Sequence, residues 1–502
     1  GYTCVTVPGD GTAEYLVLAQ SASSLGAARY PVQLVGLSSA APIVTAPATD
    51  VRPARATPWS PVVGRRPVGW WQEPFDRWAG TTDDVQGLWD ERLRHLEAEA
   101  AARRTRLDGS PDGPRLASEP ARVPSVGERR AFQVFESPGS FTQIDAVARV
   151  VGERAALFVD EAAPTGGYTD DDLRFFSDMF DAQIEPVVTG AYGAASDLDG
   201  NDRIIILFTP AVNALTPRGA GGFIAGFFFG VDLIPEQTGS NGAEIFYTLV
   251  PDASGTVADP RPKSALLDVI PAVLGHEFQH MVNFNERVLT RGAEGNEAVW
   301  LSEGLAQYAE ELVARSYDDA GDAASAELFR DGVRNRSRRY LSRPDTISLI
   351  VSSGQGTLAE RGAGYLFTTY IADRYGDGVV RDLTQTTRTG VTNVEAETGT
   401  NWAPLLSDWW AASWLDGTGV GAGALEYPTV DLRGFLTDPY PLEPDALGGA
   451  DFAREITLRS SSAKYYIVRP TAGETMTLRI GGEAGGASTP QADAQMRIVR
   501  VR

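Results

Sequence analysis

The chain has 502 residues, and 44 basic against 66 acidic side chains give it a formal net charge of −22 at pH 7. This balance argues against nucleic acid or anionic lipid as a partner, because phosphate binding requires clustered lysine and arginine. Three histidines and one cysteine exclude zinc fingers, iron–sulfur clusters and intramolecular disulfides. Any histidine chemistry therefore depends on His95, His276 or His280.

The N-terminal part reads as strands followed by linkers. Short strand patterns fill the first 40 residues, and a Pro-, Ala- and Arg-rich segment follows at residues 41–72. Leucine and valine at helical spacing predict a helix near Asp83–Arg104, on which His95 is interpreted as a surface residue. A second loose segment spans Asp108–Arg122. We therefore predict a β-rich segment over residues 1–45 and Pro-rich linkers with one helix over 46–127.

The main domain is predicted over residues 128–432. Strand patterns occur at 131–136, 155–162, 203–209 and 245–251, a helix at Thr169–Val188, and mostly helix from 265 to 416. Strands followed by helices predict an α+β fold. After Leu432, short strand patterns return and predict a small C-terminal β-sandwich-like domain over 433–502.

No apolar run reaches the roughly 18–20 residues that span a bilayer. The longest candidate, Gly219–Pro235, is rich in glycine and contains Asp232, which favours a buried strand or loop. The chain begins at Gly1 without a signal-like segment, as expected both for a processed exported protein and for a shortened chain. We expect a secreted, extracellular or cell-envelope protein.

Two of the three histidines lie in the motif His276-Glu277-Phe278-Gln279-His280. Positions i and i+4 of a helix share a face, so both imidazoles can bind one metal ion while Glu277 reaches a water on that metal. The alternative is a helix whose histidines only pack. Because histidine is rare here, the chance occurrence of this pattern is on the order of 0.001, and we predict a zinc site. Pro271 suits the first turn of this helix.

Catalytic zinc takes three protein ligands and leaves one position for water. With no other histidine nearby in sequence, the third ligand is expected to be a carboxylate. Glu303 is preferred because it precedes Gly304, a small residue that allows close packing on the His276 helix. Glu297 is the second choice, and Glu294 and Glu310 are interpreted as a solvated face.

Three motifs, in this order, resemble the gluzincin group of clan MA metallopeptidases, most closely the hyicolysin-like family. They are HEFQHMVNF (276–284), WLSEGLAQYAE (300–310) and GAGYLFTTYIADRYG (362–376). The resemblance extends over residues 197 to 416, through DLDGNDRIIILFTPAVN and TGTNWAPLLSDWWAASWLD, and leaves both ends uncovered. It implies a zincin-like domain of mixed sheet and active-site helices.

The resemblance also implies residue roles. His276, His280 and Glu303 match the zinc ligands, and Glu277 matches the general base that activates a zinc-bound water and passes its proton to the leaving amine. Gln307 is either a partner of these ligands or a surface residue.

Related enzymes supply a Tyr or His to the oxyanion from a later helix. The candidates here are Tyr365, which is preferred, and Tyr308. In the aminopeptidase branch the equivalent tyrosine would fall at Arg361, which leaves the oxyanion donor open between the three.

A second metal, calcium, is a further possibility at Asp197, Asp199 and Asn201. The glycine of this segment comes too early for an EF-hand, and the alternative is a tight turn before the strand at 203–209. No nucleophile motif or phosphate loop is recognisable in the sequence.

The sequence thus predicts a zinc endopeptidase acting on proteins or peptides, with substrate extended along Ala225–Gly230 or Phe246–Leu249 as an edge strand. An aminopeptidase is a weaker alternative, because none of the four methionines lies in the G-x-M-E-N motif of that branch. The other alternative is a catalytically idle binding protein that keeps a peptidase fold.

Overall fold

The computed structural model describes residues 3–26, 28–39, 70–73, 75, 84–108, 122–350, 357–482 and 493–502. These residues form two units. One takes the described residues within 1–67, 338–354 and 400–502, and the other those within 68–337 and 355–399. Most of the predicted linkers at 41–72 and 108–122 lie outside the described residues.

Strands occur in both units. In chain order they are β1 (Thr3–Pro8), β2 (Tyr15–Ser21), β3 (Arg29–Ser38), β4 (Arg129–Ser137), β5 (Ser140–Val151), β6 (Ala155–Asp160), β7 (Ile204–Phe208), β8 (Gly226–Phe228), β9 (Ile245–Thr248), β10 (Asp445–Leu447), β11 (Phe452–Arg459), β12 (Ser462–Val468), β13 (Thr475–Gly482) and β14 (Ala494–Arg500).

The helices are α1 (Val85–Asp108), α2 (Asp170–Met179), α3 (Glu185–Tyr192), α4 (Pro210–Ala214), α5 (Lys263–Phe284), α6 (Val299–Asp319), α7 (Ala323–Leu341), α8 (Leu358–Tyr375), α9 (Gly378–Thr384), α10 (Gly390–Thr398), α11 (Trp402–Leu415) and α12 (Leu432–Leu436). Short π-helical turns follow α2 and α5, at Phe180–Ile184 and Asn285–Thr290. The mixed α+β character expected from the sequence is confirmed.

The first unit contains two four-stranded sheets built from both ends of the chain. Their strand orders are β1-β13-β3-β11 and β10-β12-β2-β14. The N-terminal strands β2 and β3 lie inside these sheets, and β3 pairs with both β11 and β13. The predicted division treated residues 1–45 and 433–502 as separate regions, whereas here their strands complete one another's backbone hydrogen bonding.

Apolar residues of both sheets share one core, as in a β-sandwich. Val17 of β2, Leu34 of β3, Val468 of β12 and Leu478 of β13 belong to it and are fully buried. Helix α11 belongs to the same unit, where the Tyr465 hydroxyl donates a 2.8 Å hydrogen bond to a main-chain carbonyl of the helix. The sequence instead predicts this helix as part of the main domain over 128–432.

The second unit is built on a six-stranded sheet of order β4-β5-β6-β7-β9-β8. Strands β6, β7 and β9 run parallel, and β8 is antiparallel to β9 at one edge. β4, β6, β7 and β9 lie where the sequence predicts strands. β5 is a strand that the sequence analysis does not predict, and most of its positions are only partly buried.

The HExxH motif lies on α5, which begins eight residues before Pro271. The expectation that Pro271 occupies the first turn is wrong. A proline cannot donate a main-chain hydrogen bond, yet the helix continues through Pro271. Leu266 and Ile270 before the proline and Leu274 after it are fully buried, and this packing stabilises the helix.

Among the described residues, no helix combines the length and the apolarity that crossing a membrane requires. The expected location outside the cytoplasm stays a prediction.

Candidate metal centre

Helices α5 and α6 bring three side chains to one point. His276 and His280 project from successive turns of α5, and their Nε2 atoms are 3.2 Å apart. The carboxylate oxygens of Glu303 on α6 lie 3.4 Å from each of these nitrogens. All three residues are buried, and together they form a group able to hold a metal ion.

The donor atoms fit zinc in chemistry and spacing. Ligands at ~2.0–2.1 Å from a tetrahedral zinc are roughly 3.3–3.4 Å from one another, close to the separations among these atoms. Among the described residues, neither oxygen of Glu303 has a hydrogen-bond partner of good geometry. A buried carboxylate without such hydrogen bonds is costly unless cations lie beside it, and a bound metal ion would be one of them.

Glu303 is held in its charged form. Burial opposes the charge, but the guanidinium of Arg361, 3.2 Å from Oε2, and the two imidazoles hold the pKa of Glu303 well below its usual value. A carboxylate that stays ionised is the form that binds a metal.

Glu310 orients the first imidazole. Its Oε1 is 2.8 Å from Nδ1 of His276, and Arg336 lies 3.2 Å from its other oxygen. The interpretation of Glu310 as part of a solvated face is wrong, because it lies about two helical turns beyond Glu303, on the same buried side of α6. A carboxylate on Nδ1 leaves Nε2 free to bind metal.

Glu277 faces the outermost strand of the sheet. Its Oε2 accepts a 2.9 Å hydrogen bond from the main-chain N–H of Phe228 in β8. Burial raises the pKa of Glu277 to about 8, while the nearby His276 opposes the shift. A carboxyl group that exchanges its proton near neutral pH suits general acid–base chemistry.

Glu297, the alternative third ligand, is used elsewhere. It lies 3.3 Å from Arg287 and accepts hydrogen bonds from Gly390 and Asn393. Gln307 is fully buried and donates to the main-chain carbonyls of Glu303 and Arg361, so it is not a surface residue.

Gly304 allows a close approach, but between α6 and a different helix from the one expected. A Cβ on Gly304 would lie 2.8 Å from the carbonyl oxygen of Gly364 on α8. The small residue beside Glu303 therefore serves the α6–α8 contact and not the α5–α6 contact.

The three oxyanion candidates lie in different surroundings. The Tyr365 hydroxyl is 3.4 Å from Glu311, and the Tyr308 hydroxyl donates a 2.8 Å bond to Asp377. Only Arg361 has an ion pair with Glu303. Tyr365 as the oxyanion donor stays a prediction.

A second acidic group contains Asp197 and Asp199 together with Glu244, which the sequence does not place there. Asn201 is the third calcium ligand predicted from the sequence. Its Oδ1 accepts a hydrogen bond from the main-chain N–H of Arg203. Glu244 precedes β9 and lies far along the chain, so no local spacing could indicate it. Calcium here stays a prediction.

Two further sequence predictions concern the edge of the six-stranded sheet and His95. β8 is the edge strand, whereas β9 lies between β7 and β8. Phe246–Leu249 is therefore wrong as an edge segment, and Ala225–Gly230 is the segment at the edge. His95 stacks on Trp71 at 4.0 Å and belongs to no metal-binding group of the described residues.

Helix α1 supplies residues near the centre that the sequence analysis does not identify. Asp84 and Asp90 form ion pairs with Arg361, and Arg94 bonds to β8. Their separation from the motif by about 180 residues leaves no sequence signal, apart from the density of charged residues along this helix.

No family model matches this chain. The neutral metalloprotease ShpI of Staphylococcus hyicus is similar to it, with 27% identity over 224 residues. That match covers 43% of this chain and 46% of the relative, so the chain spans less than half the length of the protein it matches. The similarity supports a distant relationship to a metalloprotease.

Proposed function

We propose that this chain is a zinc-dependent endopeptidase that hydrolyses peptide bonds in proteins or peptides. His276, His280 and Glu303 hold the metal, and Glu277 is the general base. The observation that carries the proposal is the convergence of two Nε2 atoms and one charged carboxylate, at 3.2–3.4 Å, beside a sheet edge. The relationship to a metalloprotease supports it.

When bound, zinc would supply the Lewis acidity that polarises a carbonyl and makes water a stronger acid. The chain's own residues do the remaining work. Glu277 takes the proton of the attacking water and delivers it to the leaving nitrogen, for which a pKa near neutrality is suited. Glu310 holds the ring of His276 in the orientation that presents Nε2.

β8 is the surface on which an extended peptide would lie. An edge strand offers unpaired main-chain groups, and β-strand addition orients a substrate's carbonyl without reading its side chains closely. Arg361 is a second candidate for the oxyanion donor beside Tyr365, because its guanidinium lies 3.2 Å from Glu303.

The proposal is tested with wild type, Glu277→Gln and Glu294→Gln on casein and a peptide library, with zinc content measured for each. Glu294 is exposed, lies just before α6 and serves as the matched control. We expect one zinc per chain in all three proteins and about 10²–10⁴-fold slower cleavage by Glu277→Gln only. Equal cleavage by wild type and Glu277→Gln, or a wild type that binds no zinc, would contradict the proposal.

A further inference from the structure

The outer edge of β8 is already occupied by side chains of α1. The Gln86 carboxamide donates to the carbonyl of Gly226 at 2.9 Å, and Arg94 donates to the carbonyl of Phe228 at 2.8 Å. Glu97 accepts from the N–H of Gly230 at 2.7 Å. These are main-chain groups that a peptide lying along β8 would need.

Gln86 imitates a peptide group of a neighbouring strand. Its carboxamide oxygen accepts from the N–H of Ala225 at 2.7 Å while its nitrogen serves Gly226. The opposite side of β8 is paired with β9, as the bond from Leu249 N–H to the Ala225 carbonyl shows. With α1 in place, both sides of the strand are therefore taken.

The same helix neutralises the cation beside the metal ligands. Asp84, which caps α1 by accepting from the N–H of Gly87, lies 3.1 Å from Nε of Arg361. Asp90 bonds to Nη2 of Arg361, the nitrogen that also faces Glu303. Asp84, Asp90 and Arg361 are all buried, so in this arrangement the guanidinium of Arg361 has no free face for a substrate oxygen.

α1 is seated by an aromatic contact and by buried charge together. Trp89 is fully buried against Phe75, Phe135 and Phe227. The helix also buries six charged side chains: Asp84, Asp90, Glu91, Arg92, Arg94 and Glu97. Buried ion pairs add little net stability, since each charge loses its hydration, and that hydration would be regained on release.

We propose that residues 84–108 form an autoinhibitory helix, which covers the binding edge for an extended peptide and must leave β8 before substrate can enter. This inference rests on the proposed function, because it assigns the covered edge to substrate. The competing possibility is that α1 is a permanent wall of the active site.

A reversible disulfide tests the proposal. A Cβ on Gly295 would lie 3.2 Å from the Cβ of Ala98, so Ala98→Cys/Gly295→Cys can be joined with a small adjustment. The exposed Cys4, the one native cysteine, is changed to serine. We expect the oxidised protein to cleave a peptide at least about tenfold more slowly than the same protein reduced with a phosphine, which spares the metal. The Cys4→Ser parent controls for the reductant.

A second variant gives the opposite sign. Gln86→Ala removes the carboxamide that pairs with β8 and should raise kcat/KM several-fold, whereas a supporting wall would lose activity. Arg103→Gln, on the same helix with half of its side chain exposed, is the matched control and should leave kcat/KM unchanged. Equal cleavage rates of the oxidised and reduced double-cysteine variant, or a lower kcat/KM for Gln86→Ala, would overturn the inference.

Peptide binding separates this inference from the proposed function. In the Glu277→Gln background, fluorescence anisotropy of a labelled casein peptide should show tighter binding to the reduced Ala98→Cys/Gly295→Cys variant than to its oxidised form. Suppose that peptide binding depends on the oxidation state of the double-cysteine variant, but that the zinc-loaded Gln86→Ala enzyme cleaves nothing. This result would refute the peptidase function and support α1 as a helix that covers the binding edge. Cleavage at the same rate in the oxidised and reduced double-cysteine variant would support the peptidase function and refute the autoinhibitory role of α1.

Discussion

The two units bury different chemistry. Among the described residues of the β-sandwich unit, Asp416 is the single buried charged side chain, and it accepts from the main-chain N–H groups of Tyr427 and Leu432. The other unit buries charged groups along α1, α5, α6 and α8. Because burying charge is costly, its concentration in one unit shows where the chain sacrifices stability for chemistry.

The largest expected effect is the loss of zinc from the charge-rich unit when the third ligand is removed. Glu303→Ala should abolish stoichiometric zinc binding and lower peptide cleavage at least 10³-fold, because two imidazoles alone leave the metal weakly held. Circular dichroism should show the mixed α+β fold retained. Zinc retained at one per chain would place the ligand elsewhere.

In the sandwich unit the expected effect is on stability. Leu34→Ala should lower the free energy of unfolding by about 3 kcal/mol, because it leaves a cavity in the shared core of the two sheets. Denaturant unfolding followed by tryptophan fluorescence measures it. Zinc content under native conditions should not change, and a loss of zinc at low denaturant would blur the distinction between the units.

A smaller effect is expected for the group that orients His276. Glu310→Gln should weaken zinc affinity about 10–100-fold, as expected for a partner that acts through a ligand. Competition with a chromophoric chelator measures the affinity. Glu294→Gln is the control, and an unchanged affinity in Glu310→Gln would remove this carboxylate from the site.

The smallest change per measured interval is the pH dependence that Asp232 contributes to stability. Burial raises its pKa to about 7 despite hydrogen bonds from Tyr247 and Asn241, whereas the unfolded value is 3.8. Between these values the unfolded state releases the proton first, so rising pH lowers stability by at most about 1.4 kcal/mol per pH unit. Above about pH 7 the dependence ends.

Asp232→Asn should remove this contribution. The difference in unfolding free energy, wild type minus variant, should fall between pH 4 and 7 and then level off. Urea unfolding at unit pH steps measures it. A difference that rises over this range would show that the charged form is the one stabilised in the folded state.

Several features could be predicted because they depend on neighbouring residues. The i, i+4 spacing of His276 and His280 places both rings on one helical face wherever the helix lies. Buried strands such as β7 are readable as short apolar runs. The sequence favours Glu303 over Glu297 as the third ligand, and that choice stays a prediction; the packing reason for it is wrong, since Gly304 contacts α8 and not α5.

The local sequence accounts for the chemical groups that this protein has available, namely two motif histidines, an adjacent glutamate and nearby carboxylates. Which groups these side chains meet depends on how the helices and strands pack. Strand β3 pairs with β13 across more than 430 residues, Glu310 meets His276 through helix packing, and α1 reaches β8 from about 130 residues away. Such contacts depend on how elements pack in space, which no local periodicity encodes.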